Sequence, residues 1–138
     1  MPEVSINIWA VVVSALSQMV LGFLWYGPLF GKTWMRLSNV SQTDIDRSKT
    51  RGMNMLYFLA LVGSFVMAYV LAHFIDYAGA TTIGGGMQAG FWSWLGFIAP
   101  VTLGGVLWEG KSVKFWMLSN AYQLISLLIM GAILASWI

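Results

Sequence analysis

The sequence predicts an all-α fold: a bundle of four transmembrane helices with a short interfacial segment after the first. The chain is 59% hydrophobic and 9% charged, with a mean hydropathy of +0.76. A soluble domain of 138 residues with this composition would lack the polar surface to cover itself. Four apolar segments are each long enough to cross a bilayer, which takes ~20 apolar residues. They are residues 5–26, 52–75, 87–108 and 113–138, joined by short loops into a single integral membrane domain over residues 1–138.

The first span, residues 5–26, contains no Asp, Glu, Lys or Arg. We expect Gly27 and Pro28 to end it, because proline lacks the N–H that a continuing helix needs. Residues 30–35 mix apolar and basic side chains, a pattern typical of a segment that lies at the membrane interface.

The second span, residues 52–75, follows a charged stretch. Ser41 with Asp44 three residues later resembles a helix N-terminus. We therefore expect a helix to run from about residue 41 through Arg51 into the span. The charged side chains of this helix are interpreted as one or two solvated helical turns. The alternative is that they form a binding arm.

Small side chains repeat every four residues along the second span, which would let another helix approach closely. These residues are Ala60, Ser64, Ala68 and Ala72. Shorter small-residue patterns occur at residues 86–90 and 131–135. The stripes are interpreted as contacts within the bundle, with a subunit interface as the alternative.

The third span, residues 87–108, contains Pro100. Because proline has no N–H to donate, the Gly96 carbonyl one turn earlier loses its partner, and we expect a kink there. The fourth span, residues 113–138, closes the bundle. The pattern G-x-L-W-x-G ends both the first and third spans, at residues 22–27 and 105–110, so the fold is either two similar helical hairpins or one bundle with a coincidental match.

All seven basic residues lie in or beside the loops 27–51 and 109–112: Lys32, Arg36, Arg47, Lys49, Arg51, Lys111 and Lys114. Cytoplasmic loops collect Lys and Arg. We therefore expect both of these loops in the cytoplasm, both termini outside it, and the chain in the cell (inner) membrane. The same placement beside helix ends argues against nucleic acid as a partner.

Composition also limits the chemistry. The chain has no cysteine and one histidine, which excludes disulfides and thiolate catalysis and makes a self-contained metal site improbable. The sequence shows no phosphate-binding loop and no nucleophile–base pair. We therefore expect neither catalytic residues, nor a metal, nor a cofactor, and we do not expect an enzyme.

Four residues are predicted to share a layer near the middle of the membrane: Gln18, Pro100, Asn120 and Gln123. Each lies about 10–15 Å from the cytoplasmic end of its span at ~1.5 Å per residue. Asn120 and Gln123 are one turn apart, which predicts that they share one face. The layer is interpreted as hydrogen bonds that hold the bundle in register, with a polar lining for a substrate or ion passage as the alternative.

Two further groups of charged residues are candidates for function. His73 and Asp76, at the outer end of the second span, are three residues apart, close enough on one helical face for a titrating pair. The alternative is that each is simply hydrated at the interface. At the inner face, Glu109 has three basic residues as possible neighbours. This charged cluster is interpreted as a salt-bridged anchor, with a site for an anionic headgroup or small anionic ligand as the alternative. The basic residues are Lys32, Lys111 and Lys114.

Several motifs together resemble the domain of unknown function 1761 family of small bacterial membrane proteins. They are G-F-L-W-Y-G-P-L-F-G-K at residues 22–32 with Trp34, V-L-A-H-F at 70–74, residues 94–111 from W-L-G-F through Pro100 to L-W-E-G-K, and N-A-Y-Q at 120–123. The resemblance implies a compact four-span membrane protein with no established biochemical role, so it implies no site residues.

The sequence favours a non-enzymatic structural or accessory subunit of a membrane assembly, with membrane lipid around it. A homo-oligomer or a larger complex is expected, with the small-residue stripe and the aromatic ends of the spans as its contacts. The alternative is a homo-oligomeric small-solute or ion transporter or channel, with Gln18, Asn120 and Gln123 at a subunit boundary. Transport would need a homo-oligomer, because four spans enclose little of an aqueous path.

Overall fold

The computed structural model describes residues 4, 6–38, 43 and 53–137. This part of the chain is helical and contains no strand, which confirms the predicted fold class. Its helices are α1 (Ile8–Leu24), α2 (Gly31–Ser38), α3 (Met53–Ala78), α4 (Ile83–Ser93), α5 (Ala99–Trp108) and α6 (Val113–Ser136). The predicted helix N-terminus at Ser41 and Asp44, and the charged stretch that follows, lie outside the described residues.

Four helical stretches in the described residues are long and apolar enough to cross a membrane, which suggests a membrane protein. We number them spans 1 to 4: Ile8–Leu29, Asn54–Ala78, Ile83–Trp108 and Val113–Ser136. The short amphipathic helix α2 follows span 1, where the sequence predicted an interfacial segment.

Three polar side chains cap the starts of helices. The Asn7 side chain accepts from the N–H groups of Trp9 and Ala10, at 3.0 and 3.4 Å, before α1. Thr82 and Ser112 cap α4 and α6 in the same way. Such caps satisfy N–H groups that have no partner in the first turn. The Thr82 cap lets span 3 begin at Ile83, four residues before the predicted start at 87.

Spans 1 and 3 each contain a π-helical turn beside a proline. Trp25–Leu29 includes Pro28, and Trp94–Ile98 precedes Pro100. In these wider turns the N–H groups of Phe30 and Ala99 donate five residues back, to Trp25 and Trp94. A π turn accommodates the missing N–H without unwinding the chain. Span 1 therefore runs past the predicted end at 26. Where a kink was predicted around Gly96, ahead of Pro100, the structure has a π turn between α4 and α5.

Span 4 is the centre of the described bundle, because α6 contacts each of the helices α1 to α5. Its buried side chains, such as Met130 and Leu127, pack with Val11 of span 1 and Leu71 of span 2. The contact between α4 and α6 is the most extensive. Span 3 is the least buried: 11% of the residues in its 18-residue apolar window are buried, against 33% for spans 1 and 4.

The two G-x-L-W-x-G segments have different conformations. Trp25 begins a π turn and is buried, whereas Trp108 ends α5 and is 87% exposed. Gly110 has a φ of 71°, which favours glycine, whereas Gly27 is not among the positive-φ glycines. The repeated pattern therefore does not produce a repeated local structure.

Candidate functional site

A polar cluster centred on Asn120 joins spans 3 and 4. The Asn120 side chain is 3% exposed. Its Oδ1 accepts from Trp94 Nε1 at 3.2 Å, and its Nδ2 donates to Thr102 Oγ1 and to the Trp116 carbonyl, both at 3.0 Å. Every polar atom of this buried amide is thus bonded within the protein, as burial in an apolar interior requires.

Thr102, like Asn120, has several hydrogen-bond partners in this cluster. Its hydroxyl donates to the Ile98 carbonyl at 2.7 Å and accepts from Trp116 Nε1 at 3.1 Å. The same indole N–H lies 3.3 Å from the Ala99 carbonyl. The cluster therefore ties α6 to the end of the π turn in span 3, where the helix is interrupted.

A cleft of about 280 Å³ lies beside this cluster, between α5 and α6. Thr102, Trp116 and Asn120 line its inner part, and Glu109 and Lys111 lie at its mouth. Asn120 is seven residues into α6, about 10 Å from the helix start at ~1.5 Å per residue. The cleft thus reaches from the end of the bundle to the buried amide.

The turn between α5 and α6 places an acid and a base side by side at this mouth. Lys111 Nζ lies 3.7 Å from Glu109 Oε2, and both side chains are more than half exposed. The N–H groups of both residues donate to the Gly105 carbonyl, at 3.2 and 3.1 Å, and Gly110 between them has the positive φ that closes the turn. Of the predicted charged cluster, Glu109 and Lys111 come together, whereas Lys32 and Lys114 do not line the cleft.

A second polar contact lies between spans 1, 2 and 4. Gln18 Nε2 donates to Gln123 Oε1 at 3.3 Å and approaches Met67 Sδ at 3.6 Å. Tyr122 donates from its hydroxyl to the Gln18 carbonyl at 3.0 Å. Gln123 and Asn120 therefore contact different spans, although the sequence placed them on one face. The layer predicted from depth consists of two separate clusters, and Pro100 is exposed beside one of them.

His73 and Asp76 have different surroundings. His73 Nδ1 lies 2.9 Å from the Tyr69 carbonyl, and its ring contacts the rings of Tyr69 and Tyr77. Asp76 instead lines a cavity of about 250 Å³ between spans 1, 2 and 4, with Trp137 among its other lining residues. The Asp76 carboxylate thus lies at a cavity, whereas the His73 ring packs among tyrosines.

Most of the predicted small-residue stripe faces the inside of the bundle. Ser64, Ala68 and Ala72 are buried, whereas Ala60 is exposed. Span 2 contacts spans 1 and 4 more extensively than span 3. Three of the four residues therefore take part in contacts within the chain.

Sequence reasoning missed Thr102, Trp94 and Trp116 as members of the Asn120 cluster. A usable signal was present, since Thr102 lies two residues after the helix-breaking Pro100 and Trp116 one turn before Asn120. No group of three His, Cys, Asp or Glu residues that could hold a metal occurs in the described part of the chain.

Comparison with known families establishes which family the chain belongs to and gives no activity. The sequence model of the family described as protein of unknown function DUF1761 matches residues 9–135. The chain belongs to this family. Comparison with curated proteins and with solved structures gives no match. The family match covers nearly all of the four spans, and both polar clusters and the cleft between α5 and α6 lie inside it. The cavity beside Asp76 is lined in part by Asn7 and Trp137, which lie outside the matched residues.

Proposed function

We propose that this DUF1761 protein is a non-enzymatic integral membrane protein that acts as a structural or accessory subunit of an assembly in the cell membrane. The amide side chains inside the bundle, buried at Gln18 and Asn120 and half-buried at Gln123, support this role. Gln18, Gln123 and Asn120 bond to neighbouring helices of their own chain. Such bonds are each worth only ~0.6–2 kcal/mol in a membrane and serve to hold helices in register.

The observation that carries the proposal is a notch on span 3, which is exposed at Gly96 and Pro100 and half-buried at Gly104. Gly96, Pro100 and Gly104 follow one another at four-residue spacing. A Cβ atom built on Gly96 or Gly104 would meet nothing within 4 Å. Small residues let a second helix approach the backbone closely, and span 3 is the span that its own chain covers least. We infer that a helix of another subunit, from a second copy or a different protein, packs in this notch.

Site-specific photocrosslinking tests this assignment. The chain has no cysteine, so Gly104→Cys provides a single attachment point for a maleimide benzophenone in native membranes. Gly63→Cys on span 2 is the matched control, because a Cβ atom at Gly63, as at Gly104, meets nothing within 4 Å. We expect a protein adduct from position 104 and only lipid adducts from position 63.

Mass spectrometry of the position 104 adduct then separates a homo-oligomer from a complex with a foreign subunit. Lipid adducts alone at both positions would contradict the proposal. So would equal protein adducts at both, since the notch would then have no special role.

A homo-oligomeric transporter or channel is the second candidate, and the two cavities favour it. One opens beside Asp76 and the other beside Glu109, at opposite ends of the bundle. They lie between different sets of spans, and Gln18 and Asn120 between them are 4% and 3% exposed. Transport would therefore require these amide contacts to open. Solute flux in proteoliposomes that is lost in Gln123→Leu, with folding retained, would support this function; absence of flux for the wild type would exclude it for the solutes tried.

A further inference from the structure

The cleft between α5 and α6 pairs opposite charges at its mouth with apolar walls below. We propose that it binds the headgroup of a zwitterionic aminophospholipid, a lipid with a phosphate and a primary ammonium group. The inference goes beyond the proposed role as a subunit but rests on the same membrane location. Lys111 would bind the phosphate, and Glu109 would accept hydrogen bonds from the ammonium group.

The two charges are held in place by the backbone yet remain available to a ligand. Gly110 closes the turn, and both flanking N–H groups share the Gly105 carbonyl. A Cβ on Gly105 would lie 3.2 Å from Lys111 Cδ, so the missing side chain gives the lysine stem its place against α5. The Lys111 and Glu109 side chains are 54% and 65% exposed. An exposed ion pair at 3.7 Å gains little free energy, so a ligand that brings both opposite charges can insert between them at small cost.

The cleft below the mouth suits a molecule that continues into lipid. Val101, Val106 and Phe115 form apolar parts of its lining. Val101 is 73% exposed, so the cleft opens sideways onto the apolar surface of span 3. A volume of about 280 Å³ lies just below the ~300–1,000 Å³ of pockets that enclose whole small molecules, which suits a headgroup whose tails lie outside. An acyl chain attached to the headgroup can leave through this side, whereas a soluble zwitterion would leave the apolar walls uncovered.

The charge pattern selects among lipids. A primary ammonium donates three hydrogen bonds, and bonds between charged groups are about twice as strong as neutral ones. A choline headgroup has no N–H to offer Glu109. An anionic lipid without an amine places a negative charge beside that carboxylate. The other basic side chains at this end attract any phosphate, so selectivity depends on Glu109.

Titration with lipids of identical acyl chains, followed by native mass spectrometry in detergent, tests the inference. The probes are phosphatidylethanolamine, phosphatidylcholine and phosphatidylglycerol. One charge-assisted hydrogen bond in an exposed site predicts about three- to tenfold tighter binding of phosphatidylethanolamine than of the other two. Glu109→Gln should abolish this preference, and Lys111→Gln should weaken binding of all three lipids. Lys114→Gln removes a nearby charge that does not line the cleft and should leave the preference unchanged.

Two results would overturn the inference. One is equal binding of the three lipids by the wild type, which requires no variant to fold. The other is binding of soluble glycerophosphoethanolamine without binding of the lipid. Retention of the chain in membranes after alkaline carbonate washing is measured first, so that failure of the membrane location is distinguished from failure of the lipid site. Far-UV circular dichroism confirms that each variant keeps its helices.

Discussion

Gly86 of span 3 and Gly131 of span 4 face each other so closely that a Cβ atom built on either would overlap the carbonyl oxygen of the other. Both residues are buried. Gly90 makes a similar approach to the Leu127 carbonyl one turn along. The most extensive helix contact among the described residues is therefore made in part by backbone against backbone, which glycine allows.

Substitution of Gly86 by alanine should destabilise the bundle, because the new methyl group must push the Gly131 backbone away. Overpacking of this kind costs about 1–3 kcal/mol. Gly84→Ala is the matched control on the same helix, since a Cβ there meets nothing within 4 Å. It should be neutral or stabilising by up to ~1 kcal/mol, the helix propensity difference. Unfolding in detergent measures both, and equal losses would contradict the close contact.

A double-mutant cycle should show coupling between Gln18 and Gln123. The Gln18 side chain is 4% exposed. Gln123→Leu removes its amide acceptor and leaves it only the weak acceptor Met67 Sδ. We expect each single leucine variant to lose ~0.6–2 kcal/mol. The double variant should lose less than the sum, because no amide is then left unpaired. Additive losses would show that the contact contributes nothing to stability.

The contribution of Thr102 to the stability of the bundle should come from its hydroxyl rather than from its methyl group. Thr102→Val keeps the shape but removes the acceptor for Trp116 and Asn120 and the donor to Ile98. Because Trp116 and Asn120 keep backbone carbonyls as second acceptors, we expect a loss of about 0.5–1.5 kcal/mol. Thr102→Ser keeps these hydrogen bonds and should lose clearly less. Thermal unfolding in one detergent compares the two, and a larger loss for serine would contradict this account.

The four spans could be predicted from the sequence because a long apolar segment can adopt few backbone conformations in lipid. An apolar stretch in a bilayer must satisfy its own backbone, which a helix does. Glu109 and Lys111 could also be predicted as neighbours, since they are two residues apart on one turn. Lys32 lies in another helix, and no local rule fixes its distance from that turn.

The details of the polar clusters could not be predicted, because they depend on how whole helices pack. Pro100 shows that an N–H is missing but not that a π turn will form ahead of it. Asn120 and Gln123 differ by three positions, about 60° around a helix of 3.6 residues per turn. That angle is enough for one to face span 3 and the other span 1, a choice made by the neighbouring helices.

The orientation of the bundle should follow its basic residues. Lys111 and Lys114 lie at the turn between α5 and α6, and no lysine or arginine lies near Thr81 at the opposite end of span 3. Because Lys and Arg accumulate in cytoplasmic loops, we expect both termini outside the cytoplasm. In intact cells an impermeant maleimide should label Thr81→Cys, and should label Ser112→Cys only after permeabilisation. The reverse pattern, or a reporter fused after Ile138 that is active only in the cytoplasm, would contradict this orientation and would place the lipid site described above in the opposite leaflet.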